Sequence, residues 1–486
     1  MGRRGGRAIS YSHYERLSAV DATFLEIEDA NVHMHVGAVA RFEAEPLRGP
    51  SGGVDIDRIR SYVEISLHES PRFRQRLERM AVFDHPVWVD DPRFNLVYHV
   101  RHTALPPPGD ERQLKRLAGR ILSQKLDRGK ALWEMWVVEG LEDDQFALIV
   151  KAHHAMVDGI AGVDLMGALL RLEPDAPRPE PHEWIPRPPP PDSRLVADEI
   201  WRRASLPLAA IRGAPGALRH PVETLENARE TLAAVGEAIG GGLSGTTDTP
   251  LNPELGPYRR FDWTRTSIEE VSAIRKHLGG TLNDVVLTTV AGAVGRFLVR
   301  RGMHVDEDTR FRVMVPVSIR QRSEQGVPGN RVVNFLAKIP IHETDPVRRL
   351  EATRESLGEL KGSRLVKGAE IIEELGDHTF TSLIVSFVQL GASQRAYNMV
   401  VTNVPGPPRP LYLLESRMTD IYPVVPLFRG QGLGIALFSY AGDLCWGLNA
   451  CWDGVPDLHD LIEDLAESFA ELRHAAERAA DTQKSH

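Results

Sequence analysis

The sequence predicts a mixed α/β (α+β) protein of two lobes joined by a proline-rich crossover. Three observations predict it. Helix-period and strand-period stretches alternate in both halves of the chain. The 486 residues exceed the size at which one hydrophobic core stops growing. A dense proline cluster from Pro174 to Pro191 rules out a continuous helix or a central strand and reads as an extended linker. The expected organisation is a loose basic tail at 1–13, an N-terminal lobe at 14–172, linker and crossover helices at 173–257, a C-terminal lobe at 258–475 and a tail at 476–486.

In the N-terminal lobe, Val20–Glu28 reads as a short helix or loop, followed by a strand over His35–Phe42. Apolar positions at Ile56, Ile59, Val63, Leu67, Phe73 and Leu77 have helical spacing over 55–80, with Pro71 inside the run. Pro106-Pro107-Pro108-Gly109 marks a loop before a helix over 111–126, with Leu114, Leu117, Ile121 and Leu122 on one face. Strands over 132–138 and 145–152 flank a turn at 140–144. A helical pattern resumes after Gly159, with Val163, Leu165, Met166, Leu169 and Leu170 inward. Residues 193–240 are helical in pattern but broken at Pro207, Gly213, Pro215 and Pro221, and Gly240-Gly241-Gly242 opens a flexible stretch to about Gly256. The C-terminal lobe offers helices over 267–278 and 283–300 and strands over 311–317, 335–339, 397–403 and 434–440.

A hydrophobic fraction of 42% and a charged fraction of 26% are those of a soluble globular protein. The net charge of −9 argues against nucleic acid as partner, because phosphate binding needs clustered positive charge. Cys445 and Cys451 form neither a disulfide framework nor a CxxC pair, which fits a reducing, cytoplasmic setting. Arg3, Arg4 and Arg7 precede no apolar run of signal-peptide length. No transmembrane segment is expected, since the apolar segments are interrupted by polar residues well before ~20 residues. Lipid contact would therefore be peripheral, at a membrane face or a lipid-droplet surface. The interleaved apolar and basic stretch Ile200–Arg212 reads either as such a surface or as a crossover helix packed on the lobes.

The chemistry gathers at His153-His154-Ala155-Met156-Val157-Asp158-Gly159. Successive side chains of a strand point to opposite faces, so one histidine at the strand end can face substrate while the other is held in the scaffold. Gly159 permits the positive φ of a sharp strand-to-helix turn. An imidazole of pKa ~6.5 can take the proton of an attacking hydroxyl, and such assistance contributes ~10²–10⁴-fold. The sequence holds no convincing cysteine nucleophile. Metal ligation by His153, His154 and Asp158 is disfavoured, since adjacent histidines rarely share one ion and the i,i+4 spacing needs a helix. His33 and His35 are spaced to share a strand face, where packing or surface placement is the simpler account.

The segment 153–159 matches the HHxxxDG signature of the CoA-dependent acyltransferase superfamily. Leu126-Asp127-Arg128 with Leu132-Trp133-Glu134, Asn283-Asp284-Val285-Val286-Leu287, Val315-Pro316-Val317-Ser318 with Gly329-Asn330, and Asn403-Val404-Pro405-Gly406-Pro407 resemble the bacterial wax ester synthase/diacylglycerol acyltransferase family. Leu17-Ser18-Ala19-Val20-Asp21 resembles that family's opening PLSxxD motif, with Arg16 where proline is usual. The resemblance runs from about residue 17 to 470. It implies two chloramphenicol-acetyltransferase-like lobes around a central cleft or tunnel. It also implies transfer of a long-chain acyl group from acyl-CoA, the co-substrate, to a lipid hydroxyl, without a bound cofactor, a metal or an acyl-enzyme. Diacylglycerol is the favoured acceptor and fatty alcohol the alternative. By the same resemblance His154 is the general base, His153 is structural, and Asp158 points away from the cleft to pair with an arginine.

Asn283 and Asp284 read either as a helix cap or as substrate-side residues. Asn403 either shapes a turn or lines the cleft. Two rival functions remain: a condensation-type enzyme drawing acyl groups from a carrier protein, and a non-catalytic lipid-binding or lipid-droplet protein.

Overall fold

The computed structural model of the chain describes residues 14–80, 84–156, 166–174, 183–202, 245–318, 332–362 and 396–484. The first half opens with the short strand β1 (Glu15–Arg16) and helix α1 (Ala19–Ile27). Strand β2 (His35–Glu43), helix α2 (Ile56–Ser66), strands β3 (Gln75–Arg79) and β4 (Pro86–Asp90), and the single turn α3 (Leu96–His99) follow. Then come β5 (Val100–Ala104), α4 (Glu111–Leu122), β6 (Trp133–Leu141), β7 (Gln145–His153) and β8 (Leu170–Arg171). The second half holds β9 (Arg259–Ser267), α5 (Ile268–Leu278), α6 (Leu282–Arg300), β10 (Arg312–Ser318), β11 (Val332–Lys338) and α7 (Pro346–Gly362). It ends with β12 (Met399–Val404), β13 (Tyr412–Leu413), β14 (Ser416–Val424), β15 (Leu433–Tyr440), β16 (Asp443–Cys451) and α8 (Leu458–Lys484).

Two large sheets organise these elements, one of seven strands in the order β5-β6-β7-β2-β14-β13-β8 and one of six in the order β11-β10-β12-β15-β16-β9. The α/β expectation holds, but the second half is not self-contained. Strands β13 and β14 leave it to extend the first sheet, where β14 pairs antiparallel with β2. Arg41 on β2 clamps Asp420 on β14, with Nε 2.8 Å from Oδ1 and Nη2 2.5 Å from Oδ2. Trp263 of β9 stacks on Tyr422 of β14 at 4.9 Å between centroids.

Helix α4 starts where Asp110 accepts from the Gln113 amide at 2.7 Å and Gln113 returns the bond to the Asp110 amide at 3.0 Å. Its buried face, Leu114, Ala118, Ile121 and Leu122, covers the seven-stranded sheet. The helix also packs against β9, and a Cβ at Gly119 would lie 2.8 Å from the Arg259 carbonyl oxygen. In the second sheet the core forms around α6, with Val290, Val294, Phe297 and Leu298 buried and α7 and α8 packed beside it. Helix α6 has the length and apolarity to cross a membrane, but 78% of its apolar window is buried.

Two local expectations change. The helical spacing over 55–80 ends at Ser66; Pro71 opens a 3-10 turn, and Leu77 lies on β3. Residues 476–484 continue α8, whose buried positions Phe469, Leu472, Ala475 and Ala476 end where this stretch begins. In the crossover, residues 192–202 are helical, and residues 203–244 lie outside the described residues, as do those of the 1–13 tail.

Candidate active site

Strand β7 is buried along most of its length and pairs with β2 so that His153 lies opposite His35. Its last residue is His153, and a 3-10 turn over His154–Met156 follows at once. The His154 amide donates to the Met34 carbonyl at 2.7 Å, which anchors this turn to the chain entering β2. The two neighbouring histidines then have different surroundings. His153 is buried, whereas His154 is partly exposed.

The His154 ring lies against Phe24 of α1, with centroids 3.9 Å apart and planes at 31°. Its Nδ1 is buried and has no hydrogen-bond partner among the described residues. Burial pulls the imidazole down to about 4, so the ring is neutral near pH 7. Asp158 and Gly159, the remaining residues singled out in the motif, lie outside the described residues.

His153 accepts the Ala155 amide N–H at Nδ1 over 3.0 Å. Burial, reinforced by the Arg128 charge, pulls it to about 3. Its Nε2 lies 3.8 Å from Oε1 of Glu28, whose side chain is 1% exposed. His35, also buried, accepts the Leu126 amide at Nε2 over 3.4 Å and lies 3.7 Å from the same oxygen. His33 is buried with Nε2 3.1 Å from the Ala30 carbonyl. One histidine from each pair, His35 and His153, therefore lies beside the same carboxylate.

Glu28 is the residue that sequence reasoning missed. Two of its partners, Arg128 and His153, sit a hundred or more residues along the chain, and no local spacing advertises them. The segments 126–128 and 132–134 carry the other half of the signal. Arg128 donates to Glu28 Oε2 from Nε at 3.1 Å and from Nη2 at 2.8 Å, and to the Leu25 carbonyl at 2.6 Å. Trp133 is fully buried and donates its indole N–H to the Phe73 carbonyl at 2.7 Å. Glu134 faces the buried Lys151 at 3.6 Å and Arg101 at 3.1 Å. Lys151 in turn donates to the Ile121 and Gln124 carbonyls at 3.0 and 2.6 Å, tying β7 to the end of α4.

A cavity of about 270 Å³ opens beside the turn, lined by Ala155, Met156, Arg16, Ser18, Asp21 and Arg72 among others. Ser18 caps α1: its Oγ accepts the Asp21 amide at 3.0 Å and donates to Asp21 Oδ2 at 2.7 Å. The motif at 17–21 thus forms a helix start that doubles as cavity wall. A larger cavity, about 380 Å³, lies between β9 and α8 and contains none of the motif residues.

In the second half, Thr281 and Asp284 form a capping box at the start of α6, with the Asp284 carboxylate accepting the Thr281 amide at 2.6 Å. Asp284 thus caps the helix end, one of the two readings the sequence allowed. Asn283 is brought to Asn403, whose Nδ2 donates to Asn283 Oδ1 at 2.9 Å, joining α6 to β12. No described hydrogen bond links this pair to the histidine cluster. Among the described residues no group of three His, Cys, Asp or Glu side chains is arranged to hold a metal ion. Cys445 and Cys451 are both buried, and burial raises the Cys445 thiol to about 11, far from a thiolate at neutral pH.

Comparison with known proteins gives a consistent result. Residues 17–286 match the family model for the wax ester synthase/diacylglycerol acyltransferase catalytic domain, and residues 328–473 match that for the family's C-terminal domain. A putative diacylglycerol O-acyltransferase of Mycobacterium tuberculosis is 33% identical over 469 residues, covering 94% of this chain and 90% of the relative. A probable diacylglycerol O-acyltransferase of the same species is 31% identical over 482 residues, covering 96% and 98%. Among solved structures, the wax ester synthase/diacylglycerol acyltransferase of Marinobacter aquaeolei VT8 superposes with a TM-score of 0.66 at 25% identity, covering 95% of this chain and 99% of that one. The first condensation domain of the CDA synthetase shares the fold, with a TM-score of 0.54 at 15% identity over 95% and 96% of the two chains.

Proposed function

We propose, from the premise that the chain belongs to the wax ester synthase/diacylglycerol acyltransferase family, that it moves a long-chain acyl group from acyl-CoA to the free hydroxyl of diacylglycerol. Membership makes it an acyltransferase, and acyl-CoA with a lipid acceptor are the substrates the family implies. The finer reading concerns the acceptor and the base.

One observation carries it: His154, a partly exposed residue with a neutral imidazole, directly follows a buried strand, and the next two residues of its turn, Ala155 and Met156, line a cavity. With Nδ1 buried against the protein, Nε2 is the nitrogen left for substrate. As the acceptor oxygen bonds to the thioester carbonyl carbon, Nε2 takes the hydroxyl proton. The tetrahedral oxyanion then collapses, the C–S bond breaks, and the CoA thiolate recovers the proton from the imidazolium. Ester and free CoA are the products, and no residue of the chain is acylated. The low pKa ensures that the base is unprotonated, at the cost of some basicity. Burial of both cysteines supports direct attack over a thiol-borne intermediate.

Two features support a lipid acceptor working from a surface. Trp201 and Ile200, at the end of the described part of the crossover, are 77% and 55% exposed. A peripheral membrane or lipid-droplet surface is the partner such side chains suit, and cytoplasmic placement goes with it.

The purified chain should be incubated with labelled palmitoyl-CoA and a panel of diacylglycerol, hexadecanol and short alcohols. The expected main product is labelled triacylglycerol. A wax ester as main product would reassign the acceptor to fatty alcohol. Release of free fatty acid with no ester from any acceptor would overturn the reading.

A further inference from the structure

Beneath the turn that carries His154 lies a carboxylate that the reaction does not touch. Glu28 closes α1, and its Oε2 is held by Arg128 Nη2 at 2.8 Å with Lys125 Nζ at 3.6 Å. Oε1 accepts no hydrogen bond from the described residues and faces the two imidazoles of His35 and His153 instead. A buried carboxylate persists only where it is paired. Arg128 accounts for Oε2 and leaves open why Oε1 is aimed at histidines.

The two imidazoles differ in what they can offer it. Nε2 of His35 already accepts the Leu126 amide, so it has no hydrogen to present. His153 uses Nδ1 to accept the Ala155 amide. A neutral His153 therefore carries its hydrogen on Nε2, the nitrogen facing Glu28. The second nitrogen of a working or supporting histidine commonly sets the ring's tautomer through its own partner.

We propose that Glu28 is a positioning residue for the His154 base: its carboxylate keeps His153 in the Nε2–H tautomer, and His153 thereby holds the Ala155 amide and the 154–156 turn. This rests on the reading of His154 as base. The opposite tautomer would set the Nδ1–H of His153 against the Ala155 N–H and push the turn away from β7. Helix α1 then grips the site twice, through Glu28 under His153 and through Phe24 on the His154 ring. No substrate contact is lost when Glu28 is neutralised, so the effect falls on kcat and spares KM.

The test uses the full chain and reads two quantities. The first is the ¹⁵N spectrum of the histidines. In the wild type His153 is expected as the Nε2–H tautomer throughout the neutral range, and in Glu28→Gln as a mixture. The second is acyl transfer from palmitoyl-CoA. Glu28→Gln is expected to lose about 10²-fold in kcat, the scale of a small misplacement, with KM for palmitoyl-CoA unchanged within about twofold. Glu28→Asp, which keeps the charge, is expected to restore about tenfold of that loss. The Nδ1–H tautomer in the wild type overturns the proposal whether or not any variant folds. So does a folded Glu28→Gln with kcat within about threefold of wild type. Full activity in His154→Ala would overturn the base assignment separately, since the tautomer readout does not depend on which residue is the base.

Discussion

The ring of Phe24 lies 3.9 Å from that of His154, centroid to centroid. A phenyl ring at that distance keeps water from one face of the imidazole, and the loss of hydration disfavours the imidazolium. Replacing Phe24 with alanine is expected to rehydrate the ring and move its pKa from about 4 towards the ordinary value of 6.5. The base works only when unprotonated, so the wild-type rate should stay level down to about pH 5 while the Phe24→Ala rate declines below about pH 6.5. The acid limb of the kcat/KM profile reads this directly; coincident limbs would contradict it.

Stability should also depend on pH, with a defined sign. Burial lowers His85, His153 and His154 to about 4, 3 and 4, below the 6.5 of the unfolded chain. Between those values the unfolded state binds protons that the folded state refuses, so unfolding becomes easier as pH falls through 6.5. Stability is greatest above 6.5 on this account, and the loss is complete only below the folded values. A Tm lower by a few degrees at pH 5 than at pH 7 is expected in calorimetry. A Tm that rises on acidification would contradict the buried-neutral assignment of these rings.

Phe42 of β2 stacks on Phe146 of β7 at 5.2 Å, and both are fully buried. Phe146→Ala should cost about 3–5 kcal/mol through lost burial and the cavity left behind. On the same strand pair, a Cβ at Gly37 would lie 2.0 Å from the Val150 carbonyl oxygen. Gly37→Ala should therefore cost about 1–3 kcal/mol by overpacking. Denaturant unfolding measures both, and a Gly37→Ala midpoint equal to wild type would refute the close approach.

Ile200 and Trp201 lie at the end of the helical run over 192–202 and are largely exposed. Substituting both with glutamate should abolish flotation of the chain with liposomes while leaving its melting temperature unchanged. Flotation equal to wild type would locate lipid binding elsewhere.

What was legible in the sequence was local. The strand ending at His153, the abrupt turn after it and the helix from Asn283 to Arg300 are contiguous, so periodicity and a cap were enough to find them. Phe73 and Leu77 misled because their four-residue spacing suits a helix, whereas α2 had already ended at Ser66, Phe73 lies in a 3-10 turn and Leu77 on β3. The polar residues of 476–484 look like a tail because only Ala476 among the described residues there is buried, yet they continue α8 as a helix. Strand β14 could not be assigned to the first sheet, since its partner β2 lies about four hundred residues earlier and pairing across that distance leaves no local mark. Glu28 was hidden in the same way, an acid at a helix end whose meaning depends on Arg128 and His153. Motif reading singled out His154 and passed over the carboxylate of Glu28 beneath its neighbour His153.

The central claim is that one imidazole takes the proton of the attacking alcohol. His154→Ala, assayed with palmitoyl-CoA and diacylglycerol, tests it most directly. The account predicts a loss of about 10²–10⁴-fold in kcat with the melting temperature nearly unchanged. Activity within about tenfold of wild type would show that another group does this work and would contradict the account.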